Sequence, residues 1–346
     1  MQALRKLSTE FGLEVVDVPE PTAPRPSEVQ LRIASTGICG SDLHVYEWTP
    51  GYEFMTDRLP VTIGHEFAGT VIQVGSDVTE YEPGDRVTAW PTTACGDCFH
   101  CNRGRPQDCQ SREVIGLHVD GGFAARVNVP AKNCFRLPDD LDLDVAALCE
   151  PLSIAENALD VGECAEGDAL VVLGPGPIGL ALAWLAQHRG CSPVLLVGMN
   201  DDSRLRLARE MGIAHCVDLR DEDLDTAVDR VFERKVDRVI EATGATQSVT
   251  DGLRNLRSSG ILVVAGIHSA AVEIDLTPFV RDKKQIRAAH DTNFDAWPRV
   301  IDVLSKNADI FARMITHSVG LSEAIDGFER ARRKDAMKII VHPEAI

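Results

Sequence analysis

The segment 169–190 constrains the fold of this chain more than any other stretch. Residues 169–173 form a short apolar run, which predicts a buried β-strand. The sequence Gly-Pro-Gly-Pro-Ile-Gly follows at 174–179, and residues 180–189 then predict a helix that Gly190 ends. A strand, a glycine turn and a helix in this order are typical of the first unit of a dinucleotide-binding fold.

Each glycine of that turn has a separate task. The first makes the turn, the second lets the backbone approach a diphosphate, and the third lets the helix pack closely on the strand. The helix N-terminus then faces the phosphates. The residues expected to contact the dinucleotide here are Gly174, Gly176, Pro177, Ile178 and Gly179.

The alternation of strands and helices continues along the chain. Further strands are predicted at 193–198, 236–241 and 261–265. Alternating strands and helices predict an α/β fold with a parallel, doubly wound sheet. Ligands bind beyond the carboxyl ends of such strands, so Thr243 and Gly266 are further candidate contacts of the dinucleotide.

The preference between NAD and NADP depends on the end of the strand at 193–198. A protein that prefers NAD usually places an acidic residue there to bind the adenosine ribose, whereas this chain has Met199. Methionine does not repel a 2′-phosphate, and Arg204 could bind one, although Arg204 could equally be a solvated helix charge. Asp201 and Asp202 would oppose that phosphate. The sequence leans toward NADP and leaves both cofactors open.

A second constraint is the cysteine run Cys95-x2-Cys98-x2-Cys101-x7-Cys109. Four thiolates so close together predict a closed, tetrahedral zinc site that stabilises a loop and leaves no position for a substrate. An iron–sulfur cluster also uses four cysteines, and reduced loop thiols without a metal are the simplest alternative.

Two stretches upstream carry a further set of zinc-ligand residue types. Cys39 lies in the first stretch, followed by Ser41 and His44, and His65 and Glu66 lie in the second. A Cys and a His 26 positions apart are weak evidence for a metal site by themselves, because an isolated cysteine is usually a small buried hydrophobe.

The surrounding pattern resembles the zinc-containing medium-chain dehydrogenase/reductase family. The motif G-H-E-x2-G-x5-G-x2-V is present from Gly64 to Val78, the cysteine run has the spacing of the family's structural zinc, and the motifs occur in the family's order. The resemblance implies a GroES-like, β-rich catalytic domain at 1–152 and 286–346, and a Rossmann dinucleotide-binding domain at 153–285. The turn-rich first 150 residues agree with a β-rich domain.

The resemblance also implies two zinc ions per chain, one catalytic and one structural, with NAD or NADP. It places the catalytic zinc on Cys39, His65 and either Glu66 or Glu150, with Cys149 as an alternative ligand. Zinc polarises the substrate hydroxyl, and Ser41 and His44 are expected to pass the proton to solvent.

The substrate is expected to be a small secondary alcohol, either a polyol or a sugar-like compound. The stretch Glu150-Pro-Leu-Ser resembles polyol dehydrogenases, whereas the residues after His44 resemble L-threonine 3-dehydrogenase. Threonine dehydrogenases usually carry a Gly-His pair before the cysteine run, where this chain has 90–93 as Trp-Pro-Thr-Thr. A nucleotide-binding protein without catalytic activity is the alternative from another class.

Composition excludes several other classes of partner. A formal net charge of −18 opposes binding to nucleic acid. No apolar run is long enough to span a membrane, and the first residues lack the apolar segment of a signal peptide, so we expect a cytoplasmic protein. The family resemblance implies a homodimer or a homotetramer.

Overall fold

The computed structural model describes residues 1–344. The chain forms two compact units, one made of Met1–Glu150 and the residues from Phe294 onward, the other of Pro151–Asn293. The return to the first unit lies beyond residue 286 because the strand Gln285–Ala288 is hydrogen-bonded into the sheet of the second unit. The domain limits of 152 and 286 given by the sequence stay a prediction.

The first 161 residues are mostly strands with few helices. The strands are β1 (Gln2–Lys6), β2 (Glu14–Asp17), β3 (Glu28–Gly37), β4 (Val61–Thr62), β5 (Glu66–Val74), β6 (Arg86–Ala89), β7 (Thr92–Thr93), β8 (Glu113–Val114), β9 (Arg126–Pro130) and β10 (Cys134–Arg136). The helices are α1 (Gly40–Glu47), α2 (Leu143–Ala146) and α3 (Cys149–Val161).

Strands and helices then alternate. The strands are β11 (Leu170–Leu173), β12 (Val194–Gly198), β13 (His215–Asp218), β14 (Val236–Glu241), β15 (Leu256–Val264) and β16 (Gln285–Ala288). The helices are α4 (Pro177–His188), α5 (Asp202–Glu210), α6 (Leu224–Phe232), α7 (Thr246–Asn255) and α8 (Leu276–Arg281). The last elements are α9 (Ala296–Lys306), α10 (Ala308–Ala312), β17 (Ile315–Gly320), α11 (Ala324–Arg332) and β18 (Lys338–His342). Within residues 1–344, no helix combines the length and the apolar character needed to cross a bilayer.

The first unit is built around a seven-stranded sheet. Its order is β10-β6-β5-β3-β18-β17, and β9 also pairs with β3. All of these pairs are antiparallel except β17 with β18. Alternate residues of β3, namely Val29, Leu31 and Ile33, are buried in one core cluster, as the two-residue period of a strand requires.

The second unit is a parallel sheet of six strands in the order β13-β12-β11-β14-β15-β16. Every residue of β11 is buried, as expected for a central strand with both faces covered. The strand order reverses between β11 and β14, which opens a crevice at the carboxyl ends of these two strands. This sheet confirms the doubly wound α/β fold that the sequence predicts.

Two element limits differ by three residues or more from those predicted by the sequence. Helix α4 begins at Pro177 rather than at residue 180, because proline is well suited to the first position of a helix. Strand β15 begins at Leu256 rather than at residue 261. Its first half includes two serines and Gly260, which hide the strand from an analysis of apolar runs.

Candidate active site

The four cysteines of the loop 95–109 lie together. Their sulfur atoms are 3.4 Å apart for Cys95 and Cys109, 3.5 Å for Cys98 and Cys101, 3.9 Å for Cys98 and Cys109, and 4.0 Å for Cys95 and Cys101. Four sulfurs bound tetrahedrally to zinc at about 2.3 Å would be about 3.8 Å apart. Among residues 1–344, this is the one set of three or more metal-ligand atoms that all lie within 4.8 Å of one another.

The local backbone prepares this loop for a metal. Two short 3₁₀ turns, Cys101–Arg103 and Pro106–Asp108, fold the chain back on itself, and Gly104 takes the left-handed conformation between them. Backbone N–H groups of Cys101 and Gln110 lower the pKa of Cys98 to about 6, which favours the thiolate that zinc requires. All ten cysteines are free thiols.

A second set of polar groups surrounds His65. Cys39 caps helix α1, and its backbone N–H donates to Oδ2 of Asp42 at 3.0 Å. The other oxygen of Asp42 faces Nδ1 of His65 at 3.6 Å, while Oγ of Ser41 lies 3.1 Å from Nε2 of His65. The first turn of α1 therefore brings two side chains, those of Ser41 and Asp42, against one imidazole.

The position of His65 depends on the glycine before it. Gly64 has a φ of +100°, and a Cβ added there would lie 2.6 Å from the ring of Phe123. Only glycine meets both conditions, which explains the first residue of the G-H-E motif. His65 is 5% exposed, so it is directed into the protein rather than to solvent.

Glu66 is paired with a lysine that lies two strands away in the same sheet. Nζ of Lys338, on β18, donates to both carboxylate oxygens of Glu66 at 2.8 and 2.6 Å, and to the carbonyl of Ile38 at 3.0 Å. Burial disfavours the charge of Lys338, but Glu66 outweighs burial and the pKa of Lys338 is raised. Both oxygens of Glu66 are thus engaged by one ammonium group.

Glu150 has the opposite environment. It is 5% exposed, and its Oε2 atom has no hydrogen-bond partner among the described residues. Burial raises the pKa of Glu150 well above its usual range, although His65 opposes that shift. Cys149 is completely buried, and burial is the one cause of its raised pKa. Of these two neighbours, Glu150 is the one coupled electrostatically to His65.

The chemistry of these groups fits a zinc ion, although the ligand atoms of Cys39, His65, Glu66 and Glu150 do not include three that all lie within 4.8 Å of one another. Burial, with help from Glu66, raises the pKa of Cys39 to about 12, and burial raises the pKa of Asp42 to about 6. Acidic groups that burial keeps protonated are stabilised as anions by a cation placed among them. Thiolate, imidazole and carboxylate are the ligands that Zn²⁺ prefers.

His44 is held in place on the last turn of α1. Its Nδ1 atom lies 2.9 Å from Oγ1 of Thr49. Its ring stacks on Tyr52 with 5.6 Å between centroids and 23° between planes. Because Thr49 occupies Nδ1, Nε2 is the nitrogen that stays available for proton transfer. Ser41 lies three positions earlier, on the same side of the helix.

The glycine turn of the second unit has the shape of a phosphate cradle. A Cβ on Gly179 would lie 1.7 Å from the carbonyl oxygen of Gly174, so helix and strand touch there. A Cβ on Gly176 would meet nothing within 4 Å, so that side of the turn is open. Pro177 and Ile178 are the first residues of α4 and are partly exposed beside this opening.

The loops after β14 and β15 meet beside this turn. A Cβ on Gly174 would lie 2.8 Å from Cγ2 of Thr243. A Cβ on Gly266 would lie 2.4 Å from the backbone nitrogen of Gly244. Thr243 and Gly266 therefore lie at the carboxyl edge of the sheet, on either side of a tight contact between two loops.

The residue directly after β12 is Met199, so no carboxylate stands at this position. Met199 is 63% exposed, and the buried Asp201 accepts the backbone N–H of Met199 at 3.1 Å. The side chain of Arg204 is 15% exposed and lies 3.7 Å from Asp201. Asp202 is held by Arg220 at 2.7 Å. Asp201 is thus turned into its own loop, whereas Asp202 is exposed and paired with Arg220.

Sequence analysis missed several residues that the structure brings to these sites. Asp42, which was not placed in the site, faces His65. Lys338 and Glu241 were not assigned a role. For Lys338 the available signal was a charged residue directly before the apolar run 339–341 of β18. Glu241 ends β14, which also contains Asp237 and Arg238, so no such signal was available for it.

The two ligand sets and the dinucleotide-binding sheet define a zinc-dependent dehydrogenase. Residues 25–139 match the alcohol dehydrogenase GroES-like domain, and residues 143–342 match the glucose dehydrogenase C-terminus. L-Threonine 3-dehydrogenase of Rhizobium johnstonii is 31% identical over 343 residues, which cover 99% of this chain and 98% of that protein.

Solved structures agree over the whole length. A chain from Sinorhizobium meliloti 1021, solved with NADP and assigned as a zinc-binding dehydrogenase, is 31% identical with a TM-score of 0.86. The 2R,3R-butanediol dehydrogenase of Bacillus subtilis is 28% identical with a TM-score of 0.89. Each comparison covers 99% of both chains. This chain belongs to the zinc-containing medium-chain dehydrogenase/reductase family, and it is a zinc-dependent, NAD(P)-linked oxidoreductase that acts on alcohols.

Proposed function

We propose that this enzyme oxidises a secondary hydroxyl of a polyol or sugar-like alcohol, reversibly, at a zinc ion held by Cys39, His65 and Glu150. The observation that carries the ligand assignment is the contrast between two carboxylates. Oε2 of Glu150 is buried without a partner, whereas both oxygens of Glu66 are occupied by Lys338.

Each side chain around the proposed zinc site has a separate role in the reaction. Zinc, when bound, lowers the pKa of a coordinated oxygen by many units, and the dinucleotide takes the hydride. Asp42 orients the His65 ring through Nδ1. Ser41 would accept the hydroxyl proton of the substrate at Oγ while releasing its own proton toward Nε2 of His44. His44 then releases a proton to solvent.

The experiment that tests this function is nicotinamide reduction, with NAD and NADP run in parallel. The panel contains polyols, vicinal diols, aldoses, simple secondary alcohols and L-threonine. We expect turnover of the polyol class, abolished by a zinc chelator and restored by Zn²⁺. Turnover that survives complete zinc removal would contradict the proposal.

Zinc analysis separates the two carboxylates. We expect Glu150→Ala to contain one zinc per chain and Glu66→Gln to retain two, because the latter side chain is satisfied by Lys338. Loss of one zinc in Glu66→Gln with two retained in Glu150→Ala would reverse the assignment.

L-Threonine is the second candidate substrate. It is favoured by the 31% identity to the L-threonine 3-dehydrogenase of Rhizobium johnstonii. L-Threonine also carries a secondary hydroxyl, so the proposed site needs no change in chemistry to accept it. A kcat/KM for L-threonine above that for every polyol would replace the leading substrate class.

NADP is the cofactor we propose over NAD. The support is an exposed Met199 where an NAD-binding carboxylate would stand, together with an Asp201 carboxylate turned into its own loop. We expect NADPH to bind more tightly than NADH, and Met199→Glu to reverse that order. Equal Kd values in the unaltered enzyme would argue against a preference.

We propose a cytoplasmic homo-oligomer, either a dimer or a tetramer. Strand β16 is at the edge of its sheet, and Ile286 on it is 38% exposed. Leu276 and Val280 on α8 are 64% and 67% exposed. Unpaired edges and exposed apolar side chains favour association. Light scattering should give a mass of two or four chains, and a monomer at micromolar concentration would contradict this.

A further inference from the structure

One buried carboxylate joins the two loops that follow β14 and β15. Glu241 ends β14 and has no exposed surface. Its Oε1 atom accepts the backbone N–H of Thr243 at 2.6 Å, the backbone N–H of Gly244 at 2.9 Å, and the hydroxyl of Ser248 at 2.9 Å. One carboxylate oxygen therefore binds the backbone of the loop after β14 and the first turn of α7 at the same time.

The second oxygen of Glu241 binds a histidine from the neighbouring loop. Nε2 of His268 lies 3.0 Å from Oε2 of Glu241. The side chain of His268 is only 14% exposed, and its Nδ1 atom is buried without a hydrogen-bond partner among the described residues. A buried polar atom left unpaired costs about 1–3 kcal/mol, so Nδ1 of His268 calls for an explanation.

The two loops are locked together at this point. A Cβ on Gly244 would lie 2.4 Å from the carbonyl oxygen of Ile267, and one on Gly266 would lie 2.6 Å from Oε2 of Glu241. No side chain fits between them. The orientation of His268 is therefore fixed by Glu241 and by direct backbone contact rather than by a flexible loop.

The place of His268 in the sheet indicates which part of the dinucleotide it meets. The strand order reverses between β11 and β14, and the diphosphate lies at the glycine turn after β11. The adenosine half then extends over β12, on one side of the reversal. The loops after β14 and β15 are on the other side, which belongs to the nicotinamide half.

We propose that His268 contacts the nicotinamide-side ribose of the dinucleotide and that Glu241 is the positioning residue for it. Because an oxygen of Glu241 faces Nε2 of His268 as an acceptor, Nε2 carries the hydrogen of that contact, and in this tautomer Nδ1 is a hydrogen-bond acceptor. A ribose hydroxyl is a donor of matching chemistry. The inference rests on the proposed dinucleotide site and assigns one more residue to it.

The test measures binding rather than turnover. Titrations of unaltered enzyme, His268→Ala and the control His215→Ala use three probes: the reduced dinucleotide, the matching ADP-ribose without the nicotinamide ring, and the matching ADP. His215 is also partly buried but begins β13, at the opposite edge of the sheet. We expect His268→Ala to weaken the first two probes about 3- to 10-fold, the effect of one hydrogen bond, and to leave ADP and the control unchanged.

The outcomes are separable. Unaltered enzyme that binds no dinucleotide would refute the proposed site itself. Dinucleotide binding that is as tight in His268→Ala as in unaltered enzyme would overturn only the inference, as would weaker binding of ADP. Weaker binding of the dinucleotide with unchanged ADP-ribose would place the contact on the nicotinamide ring and reject the ribose assignment.

Glu241→Gln tests the positioning role. A glutamine amide does not supply the same acceptors to His268 and to the loop N–H groups. We expect looser dinucleotide binding than in His268→Ala, and ¹⁵N chemical shifts of the His268 ring that show a mixture of tautomers. A single unchanged tautomer with unchanged affinity would exclude Glu241 from this role. If Glu241→Gln does not fold, the His268 titrations still decide the inference.

Discussion

The two candidate zinc sites are built in opposite ways. The four cysteines come from one loop of fifteen residues, and their sulfurs lie 3.4 to 4.0 Å apart in the pairs described above. The site around Cys39 takes its residues from positions 39, 65 and 150, and it depends on Lys338 to neutralise Glu66. A local site needs only a correct loop, whereas a long-range site needs a complete fold.

The pKa values of Cys98 and Cys39 also differ, because one cysteine lies in a local loop and the other in a buried site. Backbone N–H groups lower the pKa of Cys98 to about 6 within its own loop. Burial raises the pKa of Cys39 to about 12. Local hydrogen bonds therefore favour the thiolate of Cys98, whereas the Asp97 side chain raises the pKa of Cys95 and burial raises the pKa of Cys101. The buried site depends on a cation to stabilise its anions.

The strongest contrast is expected from one cysteine substitution in each site. Cys39→Ser should lower turnover by at least about 1000-fold, because zinc supplies several kcal/mol of charge stabilisation, and it should remove one zinc with little change in Tm. Cys98→Ser should remove the other zinc and lower Tm, since structural zinc contributes folding free energy. Metal analysis and calorimetry measure both. Equal metal loss and equal unfolding in the two variants would contradict the existence of separate sites.

Removing the buried lysine tests the dependence on long-range contacts. Lys338→Met leaves Glu66 buried without a partner, which should lower the free energy of unfolding by about 3–5 kcal/mol. Adding Glu66→Gln should recover most of that loss. The matched control is Lys306→Met, whose exposed pair with Asp302 at 2.7 Å should contribute no more than about 1 kcal/mol. Similar losses in both lysine variants, measured by urea unfolding, would remove the special role of Lys338.

His44 belongs to the long-range site around Cys39, but the residues that hold it, Thr49 and Tyr52, are close to it in the sequence. His44→Ala should slow alcohol oxidation about 100-fold near neutral pH, less at high pH, where solvent accepts the proton more readily, and should leave the zinc content unchanged. Thr49→Val removes only the contact to Nδ1 and should have a smaller effect of the same kind. Steady-state kinetics across pH measure both. A pH profile that coincides with that of unaltered enzyme would exclude His44 from proton transfer.

Asp218 is an intermediate case, because the two backbone N–H groups that it accepts are 17 and 18 positions away along the chain. It accepts the backbone N–H groups of Asn200 and Asp201, both at 3.1 Å, and the guanidinium of Arg220. The hydrogen bond from Arg220 is the largest single influence, and the pKa of Asp218 is lowered. A lowered carboxylate pKa stabilises the fold above the unfolded value of about 3.9, and that contribution is lost as pH falls toward the folded value.

Asp218→Asn should therefore destabilise the chain by about 1–2 kcal/mol at pH 7, the smallest of these effects. The difference from unaltered enzyme should shrink as pH falls below about 4. Asp202→Asn is the control, since its side chain is 69% exposed. A difference that stays constant from pH 7 to pH 3 would show that the charge of Asp218 is unimportant.

The sequence predicted the fold well where one segment carries the whole signal. The apolar run of β11 and the glycine turn after it are local patterns, and both occur where they were expected. The predicted start of β15 was wrong because the polar first half of this strand lacks a regular pattern of apolar residues. Its identity as a strand depends on pairing with β14, which is a tertiary contact.

The same limit applies to the site. The cysteine spacing alone predicts a cluster, and the cluster is present. The sequence did not decide whether Glu66 or Glu150 is the zinc ligand, because both are acidic residues in buried segments. What distinguishes them is a lysine 272 positions from Glu66, and no pattern along the chain links two such positions.

Because Lys338 lies in the last strand, β18, the two candidate zinc sites become complete at different times during synthesis of the chain. The cysteine loop is complete as soon as residue 109 has emerged from the ribosome, so it can bind zinc while most of the chain is still unmade. Glu66 stays without its partner until residue 338 has been synthesised and β18 has paired with β3. We expect nascent chains arrested before residue 338 to carry one zinc, and chains arrested with two would show that the buried site matures without β18.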